Sequence, residues 1–109
     1  MRVIARRTLH EFLEANTGRK DYSALRAAIN SWFAEVSQAN WKNTSDVKRL
    51  YATSSIVSAD RIVFNIKGND FRLVIGVSYV KSIVWIKWIG THKDYDRINV
   101  LEVEHGNRT

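Results

Sequence analysis

Cysteine is absent from all 109 residues, so the chain has no disulfide bond, no thiolate nucleophile and no zinc site built on sulfur. No apolar run approaches the roughly 18 residues that a transmembrane helix needs. The opening MRVIARR is basic, but no apolar stretch follows it, so a signal peptide is not predicted. We therefore expect a cytoplasmic protein that has no membrane partner.

Proline is also absent, and so are the short motifs of several enzyme classes. The sequence has no Walker loop, no dinucleotide-binding fingerprint and no serine elbow. No HxxxH, HExxH or carboxylate cluster indicates a metal site. His10 lies on the exposed side of a predicted helix, and His105 lies in a polar tail. We expect no metal and no cofactor.

What the chain does contain is enough apolar material for a single domain over residues 1–109. Hydrophobic residues make up 45% of the sequence, and the net charge is +6. Residues 1–20 carry five basic and two acidic side chains, residues 61–99 carry seven and three, and residues 21–60 balance at four each. A localised positive surface favours a phosphate-rich partner such as nucleic acid, although the charge can also serve solubility alone.

The first half of the chain has helical periodicity. Residues 2–5 are a candidate strand. Thr8 stands three residues before Glu11, a spacing that predicts a capping box at the start of a helix. Asparagine and glycine at residues 16–18 favour left-handed backbone, so we expect this helix to end there.

A second helix is predicted over residues 21–38. Its apolar side chains recur at spacings of three and four, and Asp21 is placed to cap its first turn. Trp41 then falls in the polar stretch NWKNTSD, which is typical of a loop. Thr44 or Ser45 is predicted to cap a further helical turn after that loop.

From residue 61 onward the period changes from helical to alternating. Gly68 and Asn69 suit a tight hairpin turn, and Lys81 and Ser82 suit a second one. These two turns separate three predicted strands, in which apolar and polar residues alternate, over residues 61–67, 71–79 and 83–89. One face of this meander is wholly apolar. We predict an α+β fold in which N-terminal helices pack on one face of a small, mainly antiparallel sheet.

The hairpin register decides which polar residues meet on the other face of the sheet. Turns centred on those two dipeptides pair Asn65 with Arg72 and place Arg72 opposite Thr91. They also place Lys87 opposite Gly76, which has no side chain to block the lysine. An apolar strip then crosses the same face, formed by Val63, Val74 and Ile89. We predict a concave basic patch here, and a slip of one residue in either hairpin would remove it.

The segment GTHKDYD follows the last strand and lies at the lip of this patch. Thr91 is spaced to cap a short helix through Asp94, which would leave main-chain amides near a phosphate. The imidazole of His92 can act as an acid or a base near neutral pH, and Tyr95 lies on the same side of the helical turn. Arg72 in an apolar sheet is costly unless it faces water or an anion. Each of these residues also has a purely structural role open to it.

Residues 61–98 resemble the HigB-type toxins of bacterial toxin–antitoxin modules, within the RelE-like superfamily. The resemblance rests on FNIKGNDFRLV and GTHKDYD, which stand in the family's order and spacing. Trp41, Lys42 and the opening RVI extend it loosely over most of the chain. It implies the RelE-like fold and a metal-independent endoribonuclease that cleaves mRNA, usually on the translating ribosome. In such enzymes the RNA's own 2′-hydroxyl attacks the adjacent phosphate and a 5′-hydroxyl end is released.

The same resemblance implies roles for particular residues. Arg72 would hold the phosphate, because its planar fork suits phosphate oxygens. Lys67 and Lys87 would add positive charge and steer the RNA backbone, and Asn65 would orient Arg72. His92 and Tyr95 would transfer protons and position the base. Which group is the acid and which the base stays open. The residues expected to bind RNA around them are Asn65, Lys67, Lys93 and Arg97.

The resemblance also implies a protein partner, a HigA-type antitoxin with a helix-turn-helix domain, through which alone operator DNA would be bound. A rival hypothesis is a non-catalytic RNA-binding module, which basic strands and an exposed Trp85 would serve equally well. Trp32 and Trp88 are predicted on core faces and would not take part. A third hypothesis is a protein-interaction domain whose positive charge meets an acidic partner.

Overall fold

The computed structural model describes residues 1–104. His105 and the rest of the polar tail lie outside the described residues. None of the helices in this part of the chain is long and apolar enough to span a membrane. In chain order the elements are β1 (Arg2–Ile4), α1 (Arg6–Ala15), α2 (Tyr22–Gln38), α3 (Thr44–Leu50), β2 (Ser55–Ser58), β3 (Arg61–Ile66), β4 (Phe71–Ser78), β5 (Ile83–Thr91) and α4 (His92–Tyr95).

The strands form one five-stranded sheet in the order β1-β5-β4-β3-β2. Strand β1 pairs with β5 in parallel, and the other pairs are antiparallel. The predicted α+β fold, with a mainly antiparallel sheet, is therefore confirmed. Strand β2 was not predicted, because SIVS is a short edge segment with only two apolar residues and too few positions to reveal an alternation.

The main hydrophobic core lies between the helices and one face of the sheet. Helix α2 buries one stripe, formed by Leu25, Ile29, Trp32 and Val36. These side chains share a core with residues of β3, β4 and β5, and Trp32 meets Phe64 edge to face at 5.4 Å between ring centroids. Trp41 does lie in a loop, yet it is 3% exposed and stacks on the ring of Phe64. We call the opposite side of the sheet the second face.

The first hairpin has the predicted register. Asn65 pairs with Arg72, and Ile66 pairs with Phe71 across the loop. The loop reverses through two residues with positive φ, Lys67 at 53° and Gly68 at 65°. Glycine adopts this conformation without steric cost, whereas Lys67 carries a Cβ through it.

The second hairpin departs from the predicted register. Ser78 pairs with Ile83, so the turn is centred one residue earlier than expected, and Ser82 adopts positive φ. Farther along, Ile75 pairs with Ile86 but Val74 pairs with Trp88, so Lys87 is the extra residue of a β-bulge.

The bulge reverses the faces of the residues that follow it. Trp88 lies on the second face with Val63 and Val74, whereas Ile89 joins the helix-side core. The predictions of Trp88 in the core and of Ile89 in the exposed strip are wrong. Two predicted strand pairs are also wrong: Arg72 lies opposite Gly90 rather than Thr91, and Gly76 lies opposite Trp85 rather than Lys87.

Three predicted helix caps are wrong as well. Helix α1 begins two residues before Thr8, which is buried inside it. Asp21 does occupy the cap position of α2, but its carboxylate binds Arg19 instead of a helix amide. Helix α3 is capped by Asn43, whose side chain accepts a hydrogen bond from the amide of Asp46 at 3.1 Å. Only at Asp21 does the structure show a competing partner, the guanidinium of Arg19, which binds its carboxylate at 2.8 Å and 3.2 Å.

Candidate nucleic-acid interface

The second face carries a small apolar cluster that the rest of the chain partly covers. Its buried members are Val63, Val74 and Trp88. Residues 96–104, which we call the C-terminal segment, run across it and pack against it through Ile98, Val100 and Val103. The face is therefore not the open basic patch that the sequence predicted. Its charged groups are concentrated at its two ends.

Arg72 lies at one end, where β4 begins. Its guanidinium donates hydrogen bonds to the main-chain carbonyls of Asn69 at 2.8 Å and Phe71 at 3.2 Å. These acceptors fix the side chain without neutralising it, and within residues 1–104 it forms no ion pair with a carboxylate. Its positive charge is thus held in place and left available to an anion.

The indole of Trp88 lies across Gly90, the strand partner of Arg72. A Cβ at Gly90 would lie 2.4 Å from Cη2 of Trp88, so only glycine leaves room for the ring. Tyr95 packs on the same indole, with 6.3 Å between ring centroids. Trp88 is a neighbour of the candidate site that the sequence does not predict, because the bulge that turns it to this face has no signature in the alternation of residues.

Helix α4 begins as predicted from GTHKDYD. The Thr91 hydroxyl accepts a hydrogen bond from the amide of Asp94 at 3.1 Å. The amide of His92 donates to the carbonyl of Asp70 at 3.0 Å, which ties the start of this helix to the first hairpin loop. The His92 side chain is 55% exposed, with Nε2 3.9 Å from Oδ2 of Asp96. His92 and Arg72 therefore stand at the same edge of the sheet.

Asn65 and Lys67 act on the loop rather than on the guanidinium. The side-chain amide of Asn65 donates to Oδ1 of Asn69 at 3.3 Å, and the main-chain carbonyl of Asn69 accepts from Arg72. The Lys67 ammonium lies 2.7 Å from Asp70 and 3.5 Å from Asp21. The hydrogen bond to Asp70 raises the pKa of Lys67. Its charge is already matched by two carboxylates.

Lys87 lies at the other end of the second face. Its Cε would be 3.0 Å from a Cβ at Gly76, so it still crosses that glycine despite the changed register. Gly76 is four residues from Arg72 along β4, or about 13 Å. The structure thus separates Lys87 from Arg72, and its ammonium lies 3.1 Å from Glu104 instead.

The remaining predicted residues lie on the outside of α4 and after it. Lys93 and Arg97 are both exposed, and Arg97 continues the turn by donating its amide to the carbonyl of Asp94. No cluster of three or more histidine, aspartate or glutamate side chains within residues 1–104 has the arrangement of a metal site. The groups gathered at this edge are therefore a guanidinium, an imidazole and a phenol.

Helices on one face of a five-stranded, mainly antiparallel sheet form an α+β fold that is consistent with the RelE-like class of toxins. Residues 25–98 match the family HigB_toxin, described as the RelE-like toxic component of a toxin-antitoxin system. The chain belongs to this family. It is the toxin of a toxin–antitoxin system, and that membership implies an antitoxin partner. A comparison with curated proteins found no match.

Proposed function

We propose that this toxin is a metal-independent endoribonuclease that cleaves mRNA on the translating ribosome and so inhibits translation. The observation that carries the proposal is the guanidinium of Arg72. It is held by two main-chain carbonyls, with no carboxylate partner in the described chain, at the sheet edge where the exposed imidazole of His92 also stands. A fixed positive charge beside a group that can carry a proton suits phosphodiester cleavage.

The chemistry assigned to these groups is internal attack on the RNA backbone. The 2′-hydroxyl loses a proton and attacks the adjacent phosphorus, and the 5′-oxygen leaves with a proton. The products are a 2′,3′-cyclic phosphate, which can open to a 3′-phosphate, and a 5′-hydroxyl end. Arg72 stabilises the charge that builds on the pentavalent phosphate. His92 and Tyr95 are the candidates for the two proton transfers and for positioning the base.

Other residues of the proposed site bind or position the RNA strand. Lys93 is exposed on α4 and Arg97 is exposed just after it, and both attract the RNA backbone. Lys87 adds charge farther along the strand, at the opposite end of the second face. Asn65 and Lys67 support the loop that holds Arg72. We also propose that the antitoxin is of the HigA type, that operator DNA is bound only through its helix-turn-helix domain, and that the pair acts in the cytoplasm.

The test is to map RNA ends after brief induction in a bacterium, and then in a purified reaction with and without translating ribosomes. Wild-type protein should arrest growth and produce new 5′-hydroxyl ends within coding regions. Arg72→Ala and His92→Ala should each reduce cleavage about 100-fold or more, the scale expected for removing a group that stabilises a developing charge. Arg26→Ala, which removes an exposed arginine from α2, is the matched control and should cleave normally.

The outcomes separate the competing functions. A harmless wild-type protein, or toxicity that persists in both Arg72→Ala and His92→Ala, would contradict the nuclease proposal. RNA binding that Arg72→Ala weakens, without new 5′-hydroxyl ends from wild type, would support the non-catalytic RNA-binding module instead. Cleavage of free RNA at the same rate as ribosome-bound mRNA would contradict ribosome dependence alone.

A further inference from the structure

At the end of the second face away from Arg72, two cations hold one carboxylate. The guanidinium of Arg61 lies 2.7 Å from Oε2 of Glu104, and the ammonium of Lys87 lies 3.1 Å from the same carboxylate. Arg61 has no role in the nuclease proposed above. Glu104 is 39% exposed and follows the last apolar residue that anchors the C-terminal segment. Two positive groups that converge on a single surface carboxylate have the geometry of an anion site.

A cavity of about 260 Å³ opens beside this pair. It is lined by Asp60, Arg61, Gly76, Val77, Trp85 and Lys87. The charges of this lining are two positive and one negative, so the cavity carries one net positive charge without Glu104 and none with it. The carboxylate of Asp60 accepts a hydrogen bond from Ser58, which occupies one of its oxygens. The indole of Trp85 provides a flat apolar wall suited to a base.

The fold builds this arrangement from fixed parts. Lys87 is the extra residue of the β-bulge, and it reaches toward Arg61 across Gly76, where a Cβ would lie 3.0 Å from its Cε. The Arg61 side chain is only 11% exposed and also donates to the carbonyls of Val100 at 3.0 Å and Val103 at 2.9 Å. Those bonds hold the C-terminal segment independently of Glu104, so the Glu104 side chain can turn away while the segment stays in place.

We propose that Arg61 and Lys87 form a second phosphate-binding site, which Glu104 occupies while it is empty of ligand. The ligand is a backbone phosphate of single-stranded RNA, an identification that rests on the proposed nuclease function. A backbone phosphodiester carries one negative charge and two non-bridging oxygens, as the Glu104 carboxylate does, and both groups suit the guanidinium of Arg61. It replaces Glu104 because a strand already bound at Arg72 holds it near the site at a high effective concentration. Arg72 and Gly76 lie about 13 Å apart along β4. One strand can therefore place a phosphate at each end of the second face while it passes over the outside of the C-terminal segment, which covers the middle.

The first experiment measures binding of a single-stranded 2′-O-methyl RNA oligonucleotide, which cannot be cleaved. Glu104→Gln removes the competing charge and should bind about three- to tenfold more tightly than wild type. In wild type the phosphate only exchanges with the Glu104 carboxylate, whereas in Glu104→Gln it meets unpaired cations. The slope of log K against log salt should therefore be steeper in Glu104→Gln, by up to about 0.7, the value for one phosphate contact. Glu102→Gln changes the net charge equally within the same segment, and among residues 1–104 the Glu102 carboxylate accepts a hydrogen bond only from the side-chain amide of Asn99. It should bind like wild type, and equal effects of the two variants would overturn the proposal.

The second experiment separates this site from the nuclease activity. Inorganic phosphate is titrated into the protein while the side-chain Nε–H signal of Arg61 is followed by NMR. A saturable shift, tighter in Glu104→Gln and lost in Lys87→Gln, supports the site. If that shift is seen and RNA-end mapping finds no cleavage, the anion site stands and the nuclease proposal falls. If phosphate does not move the Arg61 signal in Glu104→Gln, the site is overturned whether or not the protein cleaves RNA.

Discussion

At the scale of single residues, the candidate site depends on a glycine that accommodates a tryptophan. Gly90→Ala would place a methyl group 2.4 Å from Cη2 of Trp88 and force the indole away from its position beside Tyr95. Overpacking of this kind costs about 1–3 kcal/mol. We expect urea denaturation to show a loss of that size and RNA cleavage to fall with it.

Gly18→Ala is the control for this prediction. A Cβ at Gly18 meets nothing within 4 Å, so the substitution should leave the free energy of unfolding unchanged or raise it by up to about 1 kcal/mol. If Gly90→Ala is no more destabilising than Gly18→Ala, the described packing of Trp88 is incorrect.

The sequence predicted some of these residue contacts and missed others for a definite physical reason. The Asn65–Arg72 pair and the Thr91 cap depend on a few neighbouring residues, so local spacing was sufficient to find them. The position of Trp88 depends on a bulge one residue before it. A bulge is selected by packing between distant strands, and a strict alternation assigns every residue after it to the wrong face.

At the scale of secondary-structure elements, α4 is the most vulnerable part of the proposed site. A helix of 4 residues has no stability of its own, so its cap and its contacts to the sheet must hold it. Thr91→Ala removes the acceptor for the Asp94 amide and should cost about 1 kcal/mol. Hydrogen exchange at Asp94 should accelerate, and RNA cleavage should fall because His92 and Tyr95 lose their fixed positions.

Two variants test whether that loss comes from the cap. Thr91→Ser keeps the hydroxyl and should restore both the protection of the Asp94 amide and the cleavage rate. Thr17→Ala removes an exposed hydroxyl that, within the described part of the chain, donates only to the Glu14 carbonyl at 3.5 Å, so it should have no effect. Normal protection of the Asp94 amide in Thr91→Ala would contradict the prediction.

Helices α2 and α3 are linked by a hydrogen bond with a pH-dependent strength. The Tyr51 hydroxyl donates to the Glu35 carboxylate, and burial together with this neighbour raises the pKa of Tyr51 above its ordinary 10.0. Because the pKa of Tyr51 is raised in the folded state, the protonated hydroxyl contributes fully to the free energy of unfolding below pH 10.0. That contribution is lost as the pH rises further. Tyr51→Phe should therefore be less stable than wild type at pH 8, and its stability should fall less steeply in alkali.

Denaturant midpoints at several pH values from 8 upward measure this difference. Burial also raises the pKa of Tyr79, and the Asp70 hydrogen bond raises that of Lys67, so wild type should weaken in alkali for several reasons. The comparison is therefore between Tyr51→Phe and Tyr22→Phe, a second tyrosine of the helical layer. Parallel curves for the two variants would contradict the role of the Tyr51–Glu35 bond.

The elements themselves were more predictable than their boundaries. Helix α2 and the first hairpin extend over long periodic runs, and their periodicity is set by which side chains must be buried. Strand β2 and the caps of α1, α2 and α3 were missed or misassigned. Strand β2 is too short to show an alternation of residues. The predicted cap at Asp21 fails because its carboxylate binds the guanidinium of Arg19 instead of a helix amide, and the spacing of residue types does not reveal which of two nearby partners is bound.

At the scale of the whole molecule, the net charge of +6 is a poor guide to which cations bind RNA. The charge of Lys67 is neutralised by Asp70 and Asp21, whereas Lys93 is exposed on the outer side of α4. Lys93→Gln should therefore reduce the salt dependence of oligonucleotide binding by about 0.7, the loss of one phosphate contact. Lys67→Gln should change it much less, although the two substitutions alter the net charge equally.

The measurement is the slope of log K against log salt for an uncleavable oligonucleotide. Equal slopes for the two variants would mean that net charge, rather than the local pairing of each lysine, governs binding. The excess of basic over acidic side chains in residues 61–99 is evident from the sequence. The sequence did not predict which of those charges are neutralised, because Asp21 and Glu104 approach them only in the folded chain.

The parallel pairing of β1 with β5 has a consequence for the order of folding. Residues 2–4 are synthesised about 80 residues before residues 83–85, which are their hydrogen-bonding partners. Contacts between such distant parts of a chain form slowly, after the local hairpins. The sheet that carries Arg72 is thus complete only once the chain has been synthesised through β5. Under the proposed function, the toxin is able to act on a ribosome only after a ribosome has made its first and last strands.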